Sequence, residues 1–232
     1  MQIPWTLPGS TRLCPWTHNC LPGVPEKSLG LKWLTNRGFE SEGVCLTMGL
    51  RLKRQKPPKR NTAEEARLLA EQGIQVRLWQ PGDPTEFDTL CDHVGSEYWR
   101  QVLRSELTAW QTGEPNADPA LWPDGRRPDG PRPLPVAIAD GRIVGFTGPV
   151  DREESGRGWF TGLCVDPDYG RRGIGAALFD LLLDQLEALR AEFVTLYTGE
   201  DNPARRIYER AGLKPLVRLH IMSLPPREKE QE

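Results

Sequence analysis

Residues 166–179 read DPDYGRRGIGAALF, with three glycines and two adjacent arginines between a strand-like run and a helix-like run. Glycine lets a ligand approach the backbone closely. The first N–H groups of a helix have no partners within the helix, so a helix start suits an anion. The stretch therefore predicts a phosphate-binding loop at a strand-to-helix junction, called the glycine-arginine loop (residues 166–176) below.

Two common nucleotide motifs do not fit this loop. A Walker loop requires lysine and then serine or threonine at its end, but residues 170–177 read GRRGIGAA and end in two alanines. A dinucleotide fingerprint requires a third glycine after Gly173 and Gly175, and Leu178 stands in its place. Both motifs lack the residues that carry their chemistry.

The chain around the loop predicts mixed α and β structure. Asp140-Gly141 between two apolar runs predicts a β-hairpin, and Asp83 followed by Pro84 predicts a helix start. The predicted order is a strand at 74–80, one or two helices at 83–110, a long loop at 112–133, hairpin strands on either side of Asp140-Gly141, a fourth strand at 158–165, a helix from 174, a strand at 193–199, a helix at 202–212 and a strand at 217–224.

The helix after the loop shows the spacing of a helix with one apolar face. We expect that face to pack on the sheet through Ile174, Leu178, Leu181, Leu182 and Leu189.

Two sets of residues resemble the GNAT superfamily of acyl-CoA-dependent N-acyltransferases. Its signature, Gln/Arg-x-x-Gly-x-Gly/Ala after a Val-x-Pro step, is matched by residues 165–167 (VDP) and 170–175 (GRRGIG), although Gly170 occupies the Gln/Arg position. Its downstream pattern is matched by Asn202, Arg205, Tyr208 and Gly212-Leu213. Residues 75–224 follow the family's order of elements, so the resemblance implies an α/β fold of GNAT type: a mixed, mostly antiparallel central sheet with splayed strands and helices on both faces.

The resemblance also implies the donor, acetyl-CoA, and the residues that bind it. The diphosphate would lie on the N–H groups of residues 172–176, and the pantetheine amides would pair with the backbone of residues 163–165. The implied coenzyme A site comprises Leu163, Cys164, Val165, Gly170, Arg171, Arg172, Gly173, Ile174, Gly175, Ala176, Asn202 and Arg205.

Tyr208 matches the family's general acid, which protonates the departing sulfur. A tyrosine pKa near 10 keeps it protonated at neutral pH; a half-buried tyrosine that only packs on the sheet is the alternative. Asp151, Glu153 and Glu154 lie near the expected cleft, yet a solvated hairpin explains them equally well, so no base is assigned. The acceptor is expected to be an amine of a small molecule or peptide.

Cysteine usage is typical of a reducing compartment. Five scattered cysteines contain no C-x-x-C pair. Cys14, His18 and Cys20 lie within seven residues but lack a second ligand group, so no metal is predicted. Cys164 could form a covalent acyl-enzyme, but it has no evident histidine partner in the sequence. A thiol buried in the core is therefore favoured.

Composition excludes several function classes. With 30 Lys and Arg against 32 Asp and Glu, the formal charge of −2 gives no general attraction to nucleic acid or anionic membrane. No apolar run reaches the roughly 18 residues that span a bilayer, and no signal peptide is evident. We therefore expect a cytoplasmic protein with neither nucleic acid nor membrane as a partner.

Residues 51–60, RLKRQKPPKR, carry six positive charges and two prolines. A nucleic-acid patch is the alternative, but without interleaved aromatic residues a linker is favoured. The predicted organisation is a partial domain at 1–52, a linker and short helix at 53–73, a complete domain at 74–225 and a disordered tail at 226–232.

Residues 28–50 align with residues 202–224 at a constant offset of 174, with Leu34 opposite Tyr208. This resembles the C-terminal half of a second GNAT domain, although a coincidental helix and strand is the alternative. A half domain cannot bury its own faces, so it would dock on the complete domain, extend its sheet or form a homodimer. Because such a repeat is degenerate, a protein that binds coenzyme A without catalysing a reaction stays an alternative function.

Overall fold

A computed structural model of the chain describes residues 23–52, 62–122 and 125–225. The helices are α1 (Leu29–Thr35), α2 (Thr62–Ala70), α3 (Asp88–Val94), α4 (Glu97–Thr112), α5 (Ile174–Ala188) and α6 (Arg205–Arg210). The strands are β1 (Val24–Pro25), β2 (Glu40–Arg51), β3 (Gln75–Leu78), β4 (Pro135–Ala139), β5 (Arg142–Thr147), β6 (Val150–Arg152), β7 (Arg157–Phe160), β8 (Leu163–Val165), β9 (Phe193–Gly199) and β10 (Lys214–Ser223).

Several predictions concern residues outside the described ranges. These are the cluster of Cys14, His18 and Cys20, the basic stretch from 53 to 61 and the tail at 226–232. Among the helices of the described ranges, none has both the length and the apolarity to cross a bilayer.

The described residues divide into two compact units. The larger unit comprises residues 51–193, and the smaller unit joins the residues up to Leu50 to those from Val194 onward.

The larger unit contains a sheet of order β3-β4-β5-β8, in which each neighbouring pair is antiparallel. The predicted hairpin joins β4 to β5, and Asp140 and Gly141 have φ of 50° and 71°. Positive φ at both central residues is characteristic of the type I′ turn, whose twist matches that of the strands. The hairpin prediction is confirmed.

Helices cover both faces of this sheet. Val136 and Ile138 of β4 belong to one buried cluster with residues of α3 and α4. Ala137 and Ala139, which alternate with them, belong to a second cluster with residues of α2 and α5. Since successive side chains of a strand point to opposite faces, the mixed fold with helices on both faces is as predicted.

Two predicted details of the helices were wrong, one a helix start and the other the extent of an apolar face. The helix expected from Asp83 begins at Asp88, because the Asp83 carboxylate instead accepts hydrogen bonds from Arg77 and from the Gln80 N–H. The apolar face of α5 ends at Leu186, which is fully buried, whereas Leu189 is 36% exposed beyond the helix.

The expected fourth strand is interrupted. β7 pairs with β6, and β8 pairs with β5. At the break, Gly162 has φ of 146°, and a Cβ there would lie 2.5 Å from the ring of Trp99. Glycine is required because the backbone turns and an aromatic ring lies against it.

The smaller unit contains strands in the order β1-β10-β2-β9. The N-terminal strand β2 pairs antiparallel with β10 and neighbours β9, so it lies inside the sheet. The N-terminal strand β2 therefore extends a sheet of its own chain, which is one of the three arrangements considered for this segment.

The repeat seen in the sequence has matching local geometry. Gly38 and Gly212, 174 positions apart, have φ of 80° and 96° after a helix and before a strand. The residue after each glycine donates a backbone hydrogen bond to Leu34 in one copy and to Tyr208 in the other, at 3.2 and 3.0 Å. The same left-handed helix end therefore leads into each strand.

Candidate functional site

The glycine-arginine loop leaves a run of backbone donors without partners. A 3-10 turn, Pro167–Tyr169, leads from Asp166 toward α5, and Gly173 caps that helix without a side-chain hydrogen bond. Among the described residues, none accepts a hydrogen bond from the N–H groups of residues 171–175. The sequence placed this run at 172–176, but the N–H of Ala176 bonds to the Gly173 carbonyl at 3.1 Å.

The backbone of the loop has the form of an anion site. Arg171 and Gly173 have φ of 59° and 93°, and left-handed residues of this kind occur in the anion-binding turns called nests. A Cβ on Gly173 would meet nothing within 4 Å, which leaves space over the helix start. A diphosphate therefore fits both the donors and the open space.

The loop begins at a buried carboxylate, Asp166, which is held on three sides. His93 Nδ1 lies 2.9 Å from Oδ1, Arg142 donates to Oδ2 at 3.0 Å, and the Asp168 N–H donates to Oδ1 at 3.0 Å. Burial alone would raise the pKa of Asp166, but these hydrogen bonds together hold it below its ordinary value. Sequence reasoning missed His93 and Arg142, since neither belongs to a motif.

The same cluster brings potential metal ligands together. Ligand atoms of His93, Asp166 and Asp168 lie within 4.8 Å of one another. Both Asp166 oxygens already accept hydrogen bonds from His93 and Arg142, so ion pairing accounts for the arrangement.

Of the two loop arginines, one is fixed by its neighbours. Arg172 donates to the Asp168 carbonyl at 3.2 Å, and its guanidinium carbon lies 4.9 Å from the ring centroid of Tyr169. Tyr169 in turn bonds to Asp140 in the β4–β5 turn. Arg171 is exposed, and the two arginines together bring two positive charges to the loop.

β8 is the last strand of its sheet and presents an edge. Flanking bonds join the Asp166 N–H to the Val144 carbonyl and the Gly148 N–H to the Gly162 carbonyl. Because bonded pairs alternate along an antiparallel ladder, Cys164 exchanges its main-chain bonds with Phe146 of β5. The N–H and C=O groups of residues 163 and 165 therefore point toward the open edge.

Cys164 lies in the core of the larger unit. Its side chain is buried in the cluster under α3 and α4, and burial raises its thiol pKa to about 12. A thiol that stays protonated at neutral pH is a poor nucleophile. The core-thiol interpretation is favoured over an acyl-enzyme.

The remaining predicted site residues lie in the smaller unit. The Asn202 side chain accepts from the Ala204 N–H at 2.9 Å and closes the turn into α6. Arg205 pairs with Glu209 at 2.8 Å. Tyr208 is buried on α6, and burial raises the pKa of its phenol, so it is protonated at neutral pH.

All three acids considered as a base pair with arginines, and the Asp151 carboxylate lies 3.7 Å from Arg132. Glu153 forms a buried ion pair with Arg157. Glu154 is exposed and lies 3.6 Å from Arg126. The Asp151 carboxylate accepts from the N–H of the next residue at 2.7 Å. None is arranged as an evident general base.

Comparison with known proteins gives one family and several relatives. Residues 97–213 match the acetyltransferase (GNAT) family. A mycothiol acetyltransferase of Geodermatophilus obscurus is 30% identical over 217 residues, covering 89% of this chain and 61% of its own length. A second protein of that name, from Clavibacter michiganensis subsp. michiganensis, is 37% identical over 105 residues, covering 45% of this chain and 30% of its own length. The chain thus spans less than two thirds of either relative.

Solved structures share the fold. The crystal structure of a GCN5-related N-acetyltransferase from Sphaerobacter thermophilus superposes with a TM-score of 0.58 at 21% identity, covering 86% of this chain and 57% of that one.

Proposed function

Because the chain belongs to the acetyltransferase (GNAT) family, we propose that it transfers an acetyl group from acetyl-CoA to an amine acceptor. The reaction is direct attack within a ternary complex. Cys164 is proposed to have no covalent role, because burial raises the pKa of its thiol to about 12.

The unpaired N–H groups of residues 171–175 carry this proposal. They would bind the diphosphate of coenzyme A, with the positive end of the α5 dipole and the charges of Arg171 and Arg172 adding to the attraction. The backbone of Leu163 and Val165 would pair with the pantetheine amides. Asn202 and Arg205 are proposed as further contacts to the cofactor arm.

The chemical step needs one proton donor and one proton acceptor. The acceptor nitrogen forms a bond to the acyl carbon, the carbon–sulfur bond breaks, and Tyr208 gives its proton to the leaving sulfur. Water removes the proton from the nitrogen. Positioning of the two reactants supplies most of the rate gain.

The relatives' printed name indicates one acceptor to test. Both are called mycothiol acetyltransferases, so an acceptor panel should contain the unacetylated form of mycothiol beside simple amines, peptides and amino sugars. A cytoplasmic location and a homodimer stay predictions, and gel filtration tests the second.

Two measurements test the proposal. Calorimetry should show coenzyme A binding that weakens in the variant Gly173→Ala. The acceptor panel, followed by release of free thiol from acetyl-CoA, should identify at least one amine that is turned over. Coenzyme A binding without turnover of any amine would favour the non-catalytic binding module, and the absence of binding would refute both functions.

A further inference from the structure

The larger unit contains a second cationic site. Residues 126–133, RRPDGPRP, hold three arginines and three prolines. With β6 and the residue after α5 they line a cavity of about 260 Å³, called the arginine pocket below. Its charged lining residues are Arg126, Arg127, Arg132, Arg152, Asp129 and Asp151.

The positive charge in the arginine pocket is only partly neutralised. Arg132 pairs with Glu106 and Asp151, at 2.6 and 3.7 Å, and Asp129 also lines the pocket. Arg127 is exposed and has no ion pair or hydrogen bond to the described residues. Arg126 has one distant pair, at 3.6 Å from Glu154, and Arg152 uses only Nε, which donates to the Arg190 carbonyl at 3.2 Å. Like charges gathered in a concave site attract an anion.

One of the residues that line the pocket, Arg132, is buried and held by hydrogen bonds. Arg132 is 4% exposed and bonds to Glu106 and to the Leu121 carbonyl, each at 2.6 Å. Its buried Nε has no partner among the described residues. Buried donors are usually paired, so this guanidinium at the pocket wall retains capacity for one further hydrogen bond.

The arginine pocket is separate from the glycine-arginine loop. The loop includes the first turn of α5, whereas Leu189, which lines the pocket, follows the last residue of that helix. A helix of 15 residues is about 22 Å long. Coenzyme A with its diphosphate at the loop would therefore leave the pocket available for a different ligand.

The pocket and the β8 edge are close along the chain. Val150 of the pocket pairs with Phe160 of β7, and three residues farther along is Leu163, the near end of the β8 edge. Because the chain turns at Gly162, three residues of at most about 3.3 Å each place Phe160 no more than about 10 Å from Leu163.

We propose that the arginine pocket binds an anionic group of the acceptor, a phosphate or a carboxylate. The inference rests on the proposed function. Guanidinium forks match both oxyanions in bidentate geometry, and the pocket would thereby select acidic amines over neutral ones.

Direct anion binding tests the pocket without relying on turnover. Inorganic phosphate is titrated calorimetrically into the full chain with coenzyme A present to occupy the loop. We expect one phosphate site, weakened about tenfold by Arg127→Gln and by Arg152→Gln. Arg104→Gln, an exposed arginine of α4 outside the pocket, is the matched control and should change nothing. No phosphate binding to a protein that binds coenzyme A overturns the proposal while leaving the proposed function intact.

Steady-state kinetics identify the source of the anion. For two amines that differ only in one carboxylate or phosphate, Arg127→Gln should raise KM for the acidic amine about tenfold and leave KM for the neutral one and kcat unchanged. Equal effects on both amines would overturn the assignment to the acceptor and indicate a free anion instead. Thermal unfolding of each variant verifies that the fold is retained.

Discussion

The imidazole Nδ1 of His93 lies 2.9 Å from Oδ1 of Asp166, so a side chain of α3 holds the residue that begins the glycine-arginine loop. Asp166 also accepts from the Asp168 N–H and from Arg142. The position of the loop is therefore set by the pairing of this carboxylate.

This contact predicts a pH-dependent stability. The hydrogen bond to Asp166 raises the pKa of His93. A raised pKa stabilises the fold fully below the unfolded value of about 6.5, and the contribution is lost as pH rises through the folded value. We expect the melting temperature of the protein to exceed that of His93→Gln by more at pH 5.5 than at pH 9. A difference that does not vary with pH would contradict this account.

Tyr208→Phe tests the proton donor. Removing the hydroxyl should lower kcat about 100-fold or more, because general acid catalysis contributes at least that factor, and should leave the dissociation constant of coenzyme A nearly unchanged. Tyr98→Phe, an exposed tyrosine of α4, is the matched control. Unchanged turnover in Tyr208→Phe would assign the residue to packing alone.

Cys164 should play no covalent role. Because burial raises its pKa to about 12, Cys164→Ala should retain turnover within a few-fold, and mass spectrometry after incubation with acetyl-CoA should find no acetyl group on Cys164. Cys91→Ala, in the same buried cluster, controls for the loss of core volume. An acetylated Cys164 that forms and decays at the rate of turnover would establish an acyl-enzyme instead.

The buried Arg132 at the wall of the arginine pocket should be a major contributor to stability. Burial raises the pKa of Glu106, against the opposing effect of Arg132, and the pair is almost fully enclosed. Glu106→Gln leaves the buried guanidinium with only the longer pair to Asp151, at 3.7 Å, so denaturant unfolding should show a loss of about 3 kcal/mol. The double variant Glu106→Gln with Arg132→Met should lose less than the sum of the single changes. Strict additivity would show that the two charges do not interact.

The sequence predicted those features whose causes are local. Asp140-Gly141 determines its own turn through its φ values, and the strand-to-helix loop follows from residues adjacent in the chain. The helix, glycine and strand that repeat at an offset of 174 are local in the same sense.

Features that depend on distant residues could not be predicted. Asp83 was expected to cap a helix, but its carboxylate is taken by Arg77. His93 is 73 positions from Asp166, and no pattern links the two before the fold brings α3 to β8. The break at Gly162 likewise depends on the ring of Trp99.

Gly173→Ala tests whether the loop binds coenzyme A through its backbone. Gly173 has φ of 93° and a Cβ there would meet nothing within 4 Å, so the substitution costs only backbone strain, about 1 kcal/mol. Gly113→Ala at the end of α4 is closely matched, with φ of 73° and equally open space. Both variants should therefore lose similar stability in thermal unfolding. Only Gly173→Ala should weaken coenzyme A binding in calorimetry, because its methyl group occupies the space over the unpaired N–H groups. If both variants bind coenzyme A as the unaltered protein does, the diphosphate does not lie on this loop.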